Sequence, residues 1–109
     1  MDRQAIASRL IELPIEIEDI ETEIYEAQRE VVEAKNDLDS KATELQLEGK
    51  IDGKNAEVRA AQIKSMTEGE RQELVNAENK LALLRVHYNR ASNQFKAYQA
   101  VARILGEAN

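Results

Sequence analysis

From Leu10 to Leu45 the apolar residues return in alternating steps of three and four: Leu10, Leu13, Ile17, Ile20, Ile24, Ala27, Val31, Ala34, Leu38 and Leu45. Lys41 is the one break in that row. This period of 3.5 residues is the signature of a coiled-coil seam, because it keeps one narrow stripe facing a partner helix. A second row follows with the same rhythm: Leu74, Ala77, Leu81, Leu84, Tyr88, Ala91, Phe95, Tyr98, Ala102 and Leu105. Two such rows in one chain predict an all-α fold, an antiparallel helical hairpin.

Between the rows lies LEGKIDGKNAEVRAAQIKSMTEGE, residues 47–70, with three of the four glycines. Gly49 can take the left-handed conformation that ends a helix, and Gly53 permits a second turn. Asn55 is a good N-cap for a short helix over AEVRAAQIKS. TEGE at 67–70 has the form of a capping box in which Thr67 bonds the amide of Glu70. The interruption is longer than a plain helical hairpin requires, so the tip is expected to be structured, with Ile51, Val58, Ile63 and Met66 closing the hairpin's end.

The expected organisation is one domain over residues 1–109. It comprises a short N-terminal helix within 1–13, a long helix over 14–48 opened by Pro14, a tip over 49–66 and a second long helix over 67–105. Pro14 is placed at a helix start because it has no amide hydrogen to give to a preceding turn. Gly106 is the expected stop of the last helix. Setting Ala27 against Phe95, Ala34 against Tyr88, Ile20 against Ala102 and Leu45 against Ala77 places small residues opposite larger ones throughout, the alternation that fills a core. A register that sets Ile20 on Phe95 also avoids small–small pairs.

Two helices leave part of this seam open. Aromatics make up 4% of the 109 residues, which is little bulk for a small domain. Beyond the seam, Leu83, Val86, Ala97, Val101 and Ile104 form a second stripe, broken by Arg90 and Gln94. These five are the expected self-association residues, and a homo-oligomer is expected. A dimer that completes a four-helix bundle is favoured over higher assemblies.

Charge is unevenly placed. The net charge is −6; residues 1–48 hold 14 acids and 5 bases, and residues 73–109 hold 3 acids and 5 bases. The simplest expectation is that the acidic helix is neutralised by the basic one within the chain.

Chemistry is sparse. There is no cysteine, which excludes disulfides and thiolate metal sites. The one histidine, His87, has Leu84 rather than a glutamate three residues before it, so the di-iron bundle pattern is missing. GKIDGKN lacks the spacing of a phosphate loop. No catalytic, cofactor-binding or metal-binding residue is assigned, and no enzyme activity or cofactor is expected. No apolar run is long enough to span a membrane and the N-terminus is not a signal peptide, so the expected location is cytoplasmic.

GKIDGKNAEVRAAQ at 49–62 and YNRASNQFKAYQAVARIL at 88–105 resemble a group of small helical-hairpin proteins of phages and prophages, mostly of Gram-positive hosts. Gly53, Lys54, Asn55, Ala56 and Glu57 match the tip of that group, which follows an acidic, proline-started helix. Members tend to be encoded near recombinases and single-strand-binding proteins. The resemblance implies a non-enzymatic accessory to phage DNA replication or recombination that acts through protein–protein contacts. Lys50, Lys54, Asn55, Arg59 and Lys64 of the tip are the expected partner-binding residues; the partner is a replication, recombination or host protein, and direct contact with nucleic acid stays open. Two rival functions remain. One is an acidic DNA mimic that inhibits a host nuclease or defence enzyme through Glu16, Asp19, Glu23, Glu26, Glu30, Glu33 and Asp37. The other is a coiled-coil spacer in a virion.

Overall fold

A computed structural model describes residues 2–107. It contains three helices, α1 (Arg3–Leu47), α2 (Ala56–Met66) and α3 (Glu68–Glu107), and no strand among the described residues. The chain divides into two units: the first joins the chain up to Glu26 with the chain from Leu81 onward, and the second spans Ala27–Lys80.

In both units every predicted seam position is buried or half-buried, so the three-four rhythm correctly identifies the packed face. In the first unit Leu13 is 0% and Ile6 3% exposed, and in the second Leu45 is 3% exposed. Burying a side chain of this size contributes about 1.5–3 kcal/mol before entropy.

The separate N-terminal helix is not formed. α1 runs unbroken through Pro14. Proline inside a helix costs about 3 kcal/mol or more through the lost hydrogen bond and the clash with the preceding turn. The seam explains why the helix survives: Ile6 and Leu10 extend the row one turn further back, and ending the helix at Pro14 would uncover them and Leu13. Arg9 adds a local brace, bonding Glu12 at 2.8 Å and Glu16 at 3.0 Å across the proline turn. The true helix start is Asp2, whose carboxylate accepts from the amide of Ala5 at 2.6 Å. At the other end of the chain, Gly106 does not stop α3, which continues to Glu107.

The expected register is also corrected. In the second unit Ala34 shares a groove with Ala77, and Lys80 holds both carboxylate oxygens of Glu30 at 3.1 Å. In the first unit Ile6 and Leu10 line one cavity with Ala102 and Leu105, and Arg9 donates to Gln94 at 3.3 Å. Ala34 therefore meets Ala77 rather than Tyr88, and Ala102 meets Leu10 rather than Ile20. The expected pairings would centre the reversal inside α2. The chain turns earlier, at Asn55, and α2 and α3 then follow each other with only Thr67 between them.

Thr67 does not form the expected capping box. It is 1% exposed and ends α2: its hydroxyl donates to the carbonyl of Ile63 at 2.6 Å and its amide to the same oxygen at 3.0 Å. A threonine hydroxyl bonded back four residues competes with the helical ladder and bends it. Arg71 splints the bend, its guanidinium donating to the carbonyl of Lys64 at 2.6 Å.

Candidate interaction site

The tip belongs wholly to the second unit and is assembled mainly from polar bonds. α1 ends in a Schellman motif: the amide of Lys50 donates to Leu45 at 3.0 Å and that of Gly49 to Gln46 at 3.1 Å. Gly49 sits at φ 73°, a conformation that glycine adopts without the Cβ clash other residues suffer. Asn55 caps α2 as expected, its side-chain oxygen accepting from the amide of Val58 at 2.9 Å.

The strand of chain between these caps lies against α2 through one clamp. Gln62 is its centre: its oxygen accepts from the amide of Gly53 at 2.8 Å and its amide nitrogen donates to Asp52 at 2.7 Å. Arg59 donates to the carbonyl of Gly53 at 3.1 Å. Gly53 is needed for proximity, not for a left-handed turn. A Cβ there would lie 2.6 Å from Val58 Cγ1 and 2.9 Å from the amide nitrogen of Arg59. α2 buries no side chain completely, and Val58 and Met66 are exposed. Of the four residues expected to close the hairpin's end, only Ile51 and Ile63 are half-buried.

The five expected partner-binding residues thus separate by role. Asn55 is spent on the cap and Arg59 on the clamp. Lys50 pairs with Glu48 at 2.9 Å; that hydrogen bond raises the Lys50 pKa and lowers that of Glu48. Lys64 points to solvent and lends its carbonyl to Arg71. Lys54 is exposed and bonds nothing among the described residues, so it and Lys64 are the tip cations whose ammonium groups have no partner there. Gln62 and Arg71 escaped sequence reasoning, since nothing in their local spacing distinguishes them from other helical polar residues.

The expected self-association residues Leu83, Val86, Ala97, Val101 and Ile104 all lie on the surface of the first unit. Leu83 is 57% and Ile104 62% exposed. Leu83, Ala97 and Ile104 stand at multiples of seven, on one side of α3; Arg90 occupies the remaining heptad on that side. α1 carries its own exposed apolar residues in this unit, including Ile11 and Tyr25.

Charges are not neutralised within the chain in the way the sequence suggested. Lys80–Glu30 is the one ion pair joining the two long helices among the described residues; the others are local in sequence. Among the described residues, Arg85, Arg90, Lys96 and Arg103 of the first unit make no ion pair, nor do Glu18, Asp19, Glu21, Glu23 and Glu26. The acids fall mainly on the outer faces of α1, and Arg85, Arg90, Lys96 and Arg103 of α3 are exposed. Of the seven DNA-mimic candidates, Glu16, Glu30 and Glu33 have a cationic partner in the chain.

Among the described residues, no cluster of three or more histidines, cysteines or carboxylates is arranged to hold a metal, and no helix is long and apolar enough to cross a membrane. Comparison with protein-family models, with curated proteins and with solved structures gives no match.

Proposed function

We propose that this chain is a non-catalytic contact module, an accessory to phage DNA replication or recombination that acts in the host cytoplasm by presenting helix faces and a rigid tip to other proteins. The observation that carries the reading is the surplus of unused recognition surface. Leu83, Ile104, Ile11 and Tyr25 stay exposed on long helices whose seam is already packed, beside charges with no ion-pair partner among the described residues. Exposed apolar groups rimmed by charge mark protein interaction sites. The phage and recombination setting comes from the resemblance of the tip and the last helix.

Lys54 is the residue with which to test the tip, because its substitution disturbs no bond. The assay is co-elution of the purified protein with the recombinase or single-strand-binding protein encoded beside it. The wild-type protein co-elutes, and Lys54→Glu weakens capture at least about tenfold with helicity unchanged. Absence of co-elution by the wild-type protein with either would overturn the recombination setting. Arg59→Glu is unsuited to this purpose, since it also removes the bond to Gly53.

The unpaired acids Asp19, Glu23, Glu26 and Asp37 support a second reading, an inhibitor that imitates DNA. Competition with duplex DNA for a host nuclease, abolished when these four are changed to their amides, distinguishes it from the first.

A further inference from the structure

The two unlike outer faces of the first unit match each other. On α3, Leu83, Arg90 and Ala97 stand at successive heptads on one exposed side. On α1, Ile11, Glu18 and Tyr25 do the same. Laid parallel, the two rows pair in order: leucine on isoleucine, arginine on glutamate, alanine on tyrosine. The charge that breaks the first row falls where the opposite charge breaks the second, and the small residue falls on the large one.

These rows do not meet within the chain. There the two helices run antiparallel, both rows face outward, and Glu18 and Arg90 form no ion pair. We propose that a second copy of this chain docks here, the α3 row of one copy lying parallel to the α1 row of the next. This rests on the contact-module reading and names its first partner.

Opposite charges set register and exclude wrong alignments, and the apolar row supplies the affinity. Because the two contacting faces differ, the interface is heterologous. It closes into a ring or continues as an open stack, depending on the rotation between successive copies.

The test is a charge exchange, read by sedimentation equilibrium of the full chain at low salt. The Glu18 and Arg90 side chains are exposed and bond nothing among the described residues, so their substitution leaves the fold intact, checked by far-ultraviolet circular dichroism. Glu18→Arg alone and Arg90→Glu alone each set like charges face to face, and each is expected to weaken self-association about tenfold. The double variant restores an opposite pair and is expected to return to within about threefold of the wild type. A double variant as weak as the singles, or singles that associate like the wild type, overturns the proposal. So does a wild-type chain that stays single at every concentration. Co-elution with the recombination partner is scored separately: if it persists while self-association fails, only the stacking proposal is lost.

Discussion

Leu13 and Leu45 on the helix seam are sealed from solvent, whereas α2 at the tip buries no side chain completely. The seam is held by a repeated apolar pattern, and the tip by a handful of bonds that occur once each: Gln62 to Gly53 and Asp52, Arg59 to Gly53, Asn55 to Val58. A repeat is strong but degenerate, because sliding one helix by a heptad still sets apolar on apolar. A unique polar clamp contributes less energy yet has only one way to close. The difference teaches that affinity and register come from separate parts of this molecule. The seam pairs the helices, and the place where the clamp turns the chain decides which residues meet.

Three substitutions sharpen this contrast, in descending order of effect. Leu13→Ala opens a void at a fully buried seam position beside Pro14, where the helix already lacks a hydrogen bond. A loss of about 3 kcal/mol of unfolding free energy is expected in chemical denaturation. Gly53→Ala forces its Cβ against Val58 and the backbone of Arg59 and costs about 2 kcal/mol; hydrogen exchange should accelerate over residues 50–62 while the seam amides of the first unit stay protected. Equal acceleration throughout would break the division between seam and tip. Asn55→Ala removes the cap of α2 and costs about 1 kcal/mol, seen as fraying of the first turn of α2 with no change in α1.

The same contrast explains what was legible in the sequence. The three-four rows gave both long helices and the packed face of each, because burial of a stripe is a local, periodic property. Gly49 and Asn55 were readable as caps, because a left-handed glycine and a side-chain acceptor before a helix act within a few residues. The register was not readable, since the heptad rows permit several and the choice lies in Gln62 reaching back to Gly53. Thr67 misled for a related reason: TEGE has the letters of a capping box, but the hydroxyl is drawn into the turn before it. Pro14 misled because a local rule about proline was outweighed by Ile6, Leu10 and Leu13, whose burial depends on the partner helix. The charges misled because composition counts them without saying which face they occupy.

The candidate surfaces followed the same division. Lys50, Lys54, Asn55, Arg59 and Lys64 were identifiable as a polar cluster, but only the bonding pattern separates the free ammonium groups of Lys54 and Lys64 from the side chains occupied in holding the tip. Leu83, Arg90 and Ala97 were identifiable as part of an off-seam stripe and its charged break. Their correspondence with Ile11, Glu18 and Tyr25 becomes meaningful only once α1 is known to run unbroken through Pro14, since a separate helix before residue 14 would take Ile11 out of line with Glu18.

The most direct measurement of the central claim, that this chain carries unlike faces built to receive a helical partner and first of all itself, is the mass of the wild-type protein in solution by light scattering across a wide concentration range at low and high salt. Mass that rises with concentration and falls back as salt screens the paired charges is the predicted result. A mass equal to a single chain at every concentration and both salts would contradict it.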